Sequence, residues 1–365
     1  MFYALSFKKL LLYAVLLLLL SILLANPEGV MEALQNAMLL CYRTVIPSLF
    51  PFFVLSGILT GSGFDRVLEK VFSPVMKPLF RTGGASALPF GIGIMSGYPT
   101  GAKATLELYE KGAISRSEAE RLLPFCNNSG PLFVIGAIGI GLLQSHSLGI
   151  YLYLVHILSA LCVGLCFRFY PGRESLSAKL PTATPNGKSI AQLVPDAVRI
   201  GTSQILTVCG FILFFSALSA CLGPIFDRFL PALFSLSAKA LLELTVGAQA
   251  VSTYGFSLPA ALVFISFLLG FGGICVHLQV AGILSGSGLA LMPYFLGKIL
   301  HGFLAALLSF LTLPLLPDDV FLAGPESLPT VSLLSDFPDP GPYGPIISIF
   351  FLIILLINYK KIIAR

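Results

Sequence analysis

The chain has 365 residues, of which 56% are apolar and 11% charged, with a mean hydropathy of +0.92. Soluble proteins carry about 25% charged residues, so these charges are too few to cover a water-facing surface. A secreted enzyme, a nucleic-acid binder and a coiled coil are therefore not expected. The formal charge of +5 matters less than where the basic residues fall along the chain.

A helix needs about 20 apolar residues to cross the hydrocarbon layer of a bilayer. Residues 10–25 supply the first such run, behind Lys8 and Lys9, and make 1–25 an N-terminal transmembrane anchor. A cleaved signal peptide is the rival reading, because Leu23-Leu24-Ala25 is a passable cleavage site. Further spans are expected at 45–60, 124–143, 148–167, 201–222, 258–274, 288–316 and 346–358, about eight in all. Two other apolar stretches, 83–99 and 241–255, are too short or too interrupted by Gly, Pro and polar residues to cross. Lipid cannot satisfy the backbone groups that such interruptions free, so both stretches are expected to be re-entrant, inside protein or beside a watery cavity. Seven cysteines are present, and Cys162, Cys166, Cys209, Cys221 and Cys275 lie in apolar runs. They are read as small buried hydrophobes, without a disulfide framework or metal-type spacing.

Placing both termini in the cytoplasm puts every Lys and Arg on the inner side except Arg43, Arg228, Lys239 and the in-span Lys298. This agrees with the bias of basic residues toward cytoplasmic loops. Loop 317–342 carries Asp318, Asp319, Glu326, Asp336 and Asp339 with no Lys or Arg, as an external loop would, and 343–365 is the last helix with a basic tail. On this map residues 40–170 and 190–316 each read span, broken segment, span, span, in opposite orientations and joined by a cytoplasmic linker, 171–189. The expected fold is thus an all-α polytopic membrane protein built of two inverted-topology repeats. In such proteins substrate sites lie near the midplane, where broken helices meet. Arg43-Thr44 and Arg199-Ile200-Gly201-Thr202 open the two halves, and PLFVIG at 131–136 faces HLQVAG at 277–282 as a faint echo.

Residues 100–121 are expected to form cytoplasmic helices, the first closed by Gly112 and the second opened by Ser115-Arg116-Ser117-Glu118 at capping-box spacing, their charges marking a solvated face. The densest polar cluster near membrane depth follows, Asn127, Asn128 and Ser129 before Gly130. It can cap the next helix or bind a neutral polar ligand, since an amide offers donors and an acceptor. Ser96, Gly97, Tyr98 and Pro99 end the first broken segment as a second candidate binding element. Lys103 is a candidate for a phosphate or for a lipid headgroup reached by snorkelling, and the residues around it lack the order of a P-loop. In the other broken segment Glu243 is the candidate for a coupling ion, because an acid at membrane depth is costly; its plainer reading is an i, i+4 pair with Lys239. Gln249, His277 and Gln279 complete the candidate site, while His156 and His301 are read as helix-to-helix hydrogen-bonding groups. No catalytic motif occurs, so no enzyme, cofactor or metal centre is expected.

Four stretches resemble the YlbJ-type sporulation integral membrane proteins: PSLFPFFVLSGIL at 47–59, GIMSGYPTGAK at 93–103, GAISRSEAERLLPFCNNSGPLFVIGAIG at 112–139 and LELTVG at 242–247. The likeness covers about residues 10–316, and broader relatives carry the nucleoside-recognition or Gate domain. It implies re-entrant segments, inverted halves, and a role in spore formation, cortex assembly included, in a cytoplasmic-type membrane. The second half departs from the first, reading GGICVHLQVAG at 272–282 where the first has CNNSGPLFVIG at 126–136. Two functions follow as expectations. One is a transporter or channel for a small polar solute, nucleoside-like or a cortex precursor. The other is a membrane scaffold that moves nothing and recruits spore-assembly partners through 100–121. The candidate partners are the solute, the bilayer, other sporulation membrane proteins and a second copy of the chain.

Overall fold

A chain with this little polar surface satisfies its backbone most cheaply within each segment, and the computed structural model is helical throughout. It describes residues 7–62, 65–170 and 190–316, among which there is no strand. Helix α1 (Phe7–Ala25) turns by 94° into α2 (Pro27–Leu40) at Asn26, whose side chain accepts the Gly29 N–H at 3.3 Å. A π-helical turn, Cys41–Val45, leads into α3 (Ile46–Gly61), followed by α4 (Asp65–Phe80), a short 3₁₀ turn (Gly84–Ser86), α5 (Ala87–Ser96), α6 (Thr100–Glu110) and α7 (Arg116–Cys126). A π-helix, Leu132–Leu142, then precedes α8 (His146–Phe167). The second half comprises α9 (Ile190–Phe229), α10 (Ala232–Leu242), α11 (Leu244–Thr253), α12 (Leu258–Phe271), α13 (Gly273–Leu284) and α14 (Met292–Thr312), which ends in the 3₁₀ turn Leu313–Leu315.

Among the described residues four helical runs are long and apolar enough to cross a membrane: His146–Phe167, Ala191–Phe229, Leu258–Leu284 and Met292–Leu315. The bent pair Leu16–Ala25 and Pro27–Arg43 makes a fifth if it counts as one span. Of the eight expected spans, 148–167 matches α8 closely, and 201–222 is only the middle of the 40-residue α9. The run at 124–143 is not one helix: α7 stops at Cys126 and the chain unwinds before the π-helix, because Asn127–Gly130 leaves the helical path. The span at 258–274 continues through a break at Gly272 to Leu284, and 346–358 lies outside the described residues. The amphipathic α2 and helix α10 were not anticipated from the sequence.

Among the described residues three large apolar cores hold these helices, with a small fourth of Leu88, Ile92 and Ala104 between α5 and α6. One joins the π-helix, α8, α10 to α12 and α14 through residues such as Ile138, Leu152, Leu236, Ala248, Leu262 and Ala305. A second joins α4, α6, α7, α13 and α14 through Phe80, Leu108, Leu122, Phe125, Val280 and Tyr294. The third is separate and binds α2, the π-turn and α3 to α9 through Ala37, Cys41, Phe53, Ile205, Cys209 and Ile212. Large apolar side chains left outside these cores, such as Leu154 and Leu158 on α8 and Phe303, Leu307 and Phe310 on α14, form lipid-facing stripes. Of the cysteines, Cys166 departs from the expected burial and is exposed on α8. Close approach is built in where α5 and α6 meet the end of α7, since a Cβ at Gly93 or Gly101 would collide with the Cys126 carbonyl.

The stretch 100–121 is only in part the solvated face expected of it, with Glu110, Lys111 and Arg116 exposed. Glu118, Glu120 and Arg121 are buried, because the two carboxylates are spent on backbone donors. The capping box forms, with Ser115 Oγ accepting the Glu118 N–H at 3.2 Å and Glu118 Oε2 accepting the Ser115 N–H at 2.9 Å. Glu118 Oε1 also accepts the Gly83 N–H at 2.7 Å, which ties the start of the first broken segment to α7. Glu120 likewise accepts the Ala290 N–H at 3.0 Å, across to the turn before α14, while bound to Arg116 at 2.8 Å. Glu118→Ala strands two backbone donors and is expected to cost about 1–3 kcal/mol, seen as a lowered unfolding midpoint of the detergent-purified protein. Glu110→Ala, on an exposed residue, should leave the midpoint within about 0.5 kcal/mol of the parent. Equal midpoints for the two variants would contradict this role for Glu118.

Candidate solute site

Four interruptions of helix in the bundle meet in one place. They are Gly97–Pro99 between α5 and α6, residues 127–130 between α7 and the π-helix, Glu243 between α10 and α11, and Gly272 between α12 and α13. Gly97 and Gly272 both have φ of +90°, a conformation that side chains resist. The breaks approach one another in pairs through backbone, and the two pairs meet at the Tyr98 ring. A Cβ on Gly97 would lie 2.9 Å from Gly130 N, one on Gly273 3.3 Å from Leu244 N, and one on Gly272 3.7 Å from Tyr98 Cε1.

Each break exposes main-chain groups that need partners at a depth without water. Ser96 Oγ donates to the Ile92 carbonyl at 2.6 Å and lies 2.6 Å from Thr100 Oγ1, which bonds the Gly97 carbonyl. Asn128 Nδ2 donates to the Phe125 carbonyl at 2.8 Å and so closes the end of α7. The Ser129 N–H donates to His156 Nε2 at 2.9 Å, and Ser129 Oγ donates to Tyr98 Oη at 2.6 Å. The Asn127 carbonyl accepts from Lys298 Nζ at 2.9 Å, and Asn127 Nδ2 lies 3.4 Å from Tyr294 Oη. At the third break Glu243 caps α11, its Oε2 accepting the Val246 N–H at 2.8 Å.

Lys298 is fully buried on α14 and has no carboxylate among its partners. Its other bond is to His301 Nδ1 at 3.0 Å, and His301 Nε2 lies 3.0 Å from the His156 carbonyl, which fixes Nε2 as the protonated nitrogen and Nδ1 as the acceptor. The two imidazoles stack with centroids 4.6 Å apart. The Asn127–Tyr294 link continues to His277 Nδ1, 3.2 Å from Tyr294 Oη. Four buried atoms of this network have no partner among the described residues: Asn127 Oδ1, Asn128 Oδ1, His156 Nδ1 and His277 Nε2.

Three cavities run past the breaks. One of about 330 Å³ lies between α2 and α9 on one side and Lys239, Glu243, Thr245 and Gln249 on the other. A central one of about 70 Å³ is lined by Val45, Leu49, Val208 and Ile212 opposite Gly97, Tyr98, Ser129, Gly130, Glu243 and Gln279. The third, about 390 Å³, lies between Phe53, Ser203, Gln204 and Thr207 on one side and Pro99, Lys103, Glu107 and Glu110 on the other. Glu243 and Thr245 line the first two, and Val208 and Gln279 line the last two. All three thus follow the seam between the separate α2–α3–α9 core and the body of broken helices.

Among the candidate residues, Gly97, Tyr98, Ser129, Gly130, Glu243 and Gln279 face the central cavity, while Pro99, Lys103 and Gln249 face the end cavities. Ser96, Asn127, Asn128 and His277 are buried behind the wall and line none of the three. Lys103 points into the third cavity, 3.9 Å from Glu107. Lys239 pairs with both oxygens of Asp227 at 2.7 Å, so the i, i+4 pairing with Glu243 does not form. Sequence reasoning placed Lys298 in a span without giving it a role. The signal was there, a basic residue and a histidine three apart in an apolar helix, which share one face.

The four breaks lie inside an all-helical membrane bundle, and the Gate family, described as nucleoside recognition, matches residues 42–167, from the π-turn to the end of α8. Over 83% of its length the chain is 34% identical to the sporulation integral membrane protein YlbJ of Bacillus subtilis (strain 168), covering 82% of that protein. The chain belongs to this family of sporulation integral membrane proteins. No solved structure matches it.

Lys298→Met removes the donor to both the Asn127 carbonyl and His301 and is expected to cost about 1–3 kcal/mol, measured as a lowered unfolding midpoint. Lys103→Met, at a cavity wall, should change it by no more than about 0.5 kcal/mol. An unchanged midpoint for Lys298→Met would show that the lysine does not hold the second break in place.

Proposed function

We propose that the protein moves a small polar solute, nucleoside-like or a cortex precursor, across the membrane of the sporulating cell through the seam between its two bodies. The observation that carries this reading is the alignment of three cavities on one helix. Their α9 residues run from Ser203 to Asp227, which at 1.5 Å per residue is about 36 Å, slightly more than the roughly 30 Å hydrocarbon thickness of a bilayer. The central cavity has room for only a few waters, so the passage is shut in its middle and open at both ends. Rocking of the broken-helix body against α2, α3 and α9 would open it to one side at a time.

The order of elements supports two repeats. After α3 and α4 in one half and the long α9 in the other, each half has two helix pairs interrupted at a break and then a long helix: α5–α6, α7 with the π-helix, and α8 in one, and α10–α11, α12–α13 and α14 in the other. Together with the loop charges this favours inverted halves with both termini in the cytoplasm. The chain acts as a carrier and not as an enzyme, and in this reading its part in sporulation, which the name of its relative states, is exercised in cortex assembly. The scaffold alternative would act through α6 and α7, where Glu110 and Arg116 are exposed although Glu118, Glu120 and Arg121 are buried; it predicts that charge reversals at Glu107, Glu110 and Arg116 abolish sporulation while substitutions in the seam leave it intact.

The first test is thermal stability of the purified protein against nucleosides, nucleobases and cell-wall precursors. A ligand at a hundred times its dissociation constant adds about 2.7 kcal/mol. Val208→Trp, which fills the central cavity, is expected to abolish both the shift and uptake of the active compound, while Phe214→Trp, on an exposed residue of the same helix, preserves both. Undiminished uptake by Val208→Trp would remove the seam as the route.

A further inference from the structure

We propose that the passage favours cations and excludes anions, so that its solute carries no net negative charge, with Glu243 as the residue that sets the sign. This rests on the transport reading above, but it concerns the charge of the walls and is testable without any solute.

Each end cavity is lined by two carboxylates and one ammonium group: Asp227, Glu243 and Lys239 in the first, and Glu107, Glu110 and Lys103 in the third. Both ammonium groups are already engaged, Lys239 by both oxygens of Asp227 at 2.7 Å and Lys103 by Glu107 at 3.9 Å. No arginine lines any of the three cavities. Glu243 is 4% exposed and stands where the first cavity meets the central one, with no basic side chain bonded to it. Its carboxylate also occupies the N-terminus of α11, the kind of position where a helix would otherwise receive an anion. An anionic solute would have to displace that carboxylate. The buried cations Lys298 and Arg121 line none of the cavities, and Lys298 lies behind the wall on the Asn127 carbonyl and His301.

Inside low-dielectric walls a single uncompensated charge acts strongly on an ion that enters. Phosphorylated and nucleotide-linked precursors are therefore disfavoured, and neutral nucleosides, amino sugars, amines and metal cations remain.

The test uses the full chain in lipid vesicles, with the exposed Cys166 replaced by Ser and this parent measured alongside. Gln249→Cys, in the first cavity, and Thr207→Cys, in the third, are reacted with a quaternary-ammonium and a sulfonate methanethiosulfonate reagent of similar size. The cationic reagent is expected to react about tenfold faster at both positions, relative to the two reagents' rates on a free thiol. Adding Glu243→Gln should reduce that preference severalfold at Gln249→Cys and leave it at Thr207→Cys. A preference of one or less, or no reaction at either position, overturns the proposal, and a preference that survives Glu243→Gln removes Glu243 as its source. Because labelling needs no transport, a preference found in a protein that moves none of the tested compounds would defeat the transport reading alone.

Discussion

The structure turns on a demand that lipid imposes: a main-chain N–H or C=O freed from a helix at membrane depth must find its partner inside the protein. This chain frees such groups at four places and gathers the four together. The first break is satisfied by its own Ser96 and Thr100, which bond the Ile92 and Gly97 carbonyls, and it packs on the second through the Ser129–Tyr98 hydroxyl pair and the close approach of Gly97 and Gly130. The second is also held from behind by His156 and Lys298, and the third supplies its own cap in Glu243. Once the breaks are together, polar groups sit beside the α9 face, and a polar seam through the bundle is the consequence.

Two layers of polar residues therefore divide the work. The layer facing the cavities contains Tyr98, Ser129, Glu243 and Gln279, available to a solute. The layer behind contains Asn127, Asn128, His156, His277, Tyr294, Lys298 and His301, mutually bonded and closed to the cavities. A buried ammonium group without a carboxylate is expensive. Here it secures the carbonyl at the end of α7, where the negative end of the helix dipole lies and a positive charge is favourable. The stiff rear layer lets the broken helices behave as one body, apart from the α2–α3–α9 core.

Much of this was legible in the sequence. Gly and Pro in the run 83–99 pointed to the first break, and Glu243, at the third, was marked because an acid at such depth is costly. The capping box at Ser115 and Glu118 was correct in its bonds and wrong in its setting, since spacing reveals the local cap but not the distant Gly83 N–H that buries it. The break inside 124–143 was hidden because the run is apolar on both sides, and hydropathy measures length without measuring continuity. The direction in which Asn127 and Asn128 point was not legible either. Amides serve equally as ligands and as structural partners, and the structure shows Asn128 Nδ2 on the Phe125 carbonyl and Asn127 Nδ2 on the Tyr294 hydroxyl, both behind the cavity wall.

The central claim is that the cavities lie between two bodies that move against each other. Distance distributions between spin labels in lipid test it most directly. One pair would sit at Phe214 on α9 and Leu278 on α13, across the seam, and a control pair at Leu278 and Phe303 on α14, within the broken-helix body; all three residues are exposed. The account predicts two resolved distances for the first pair and a single narrow one for the control. A single narrow distance for both pairs would mean that the seam does not open, and would contradict it.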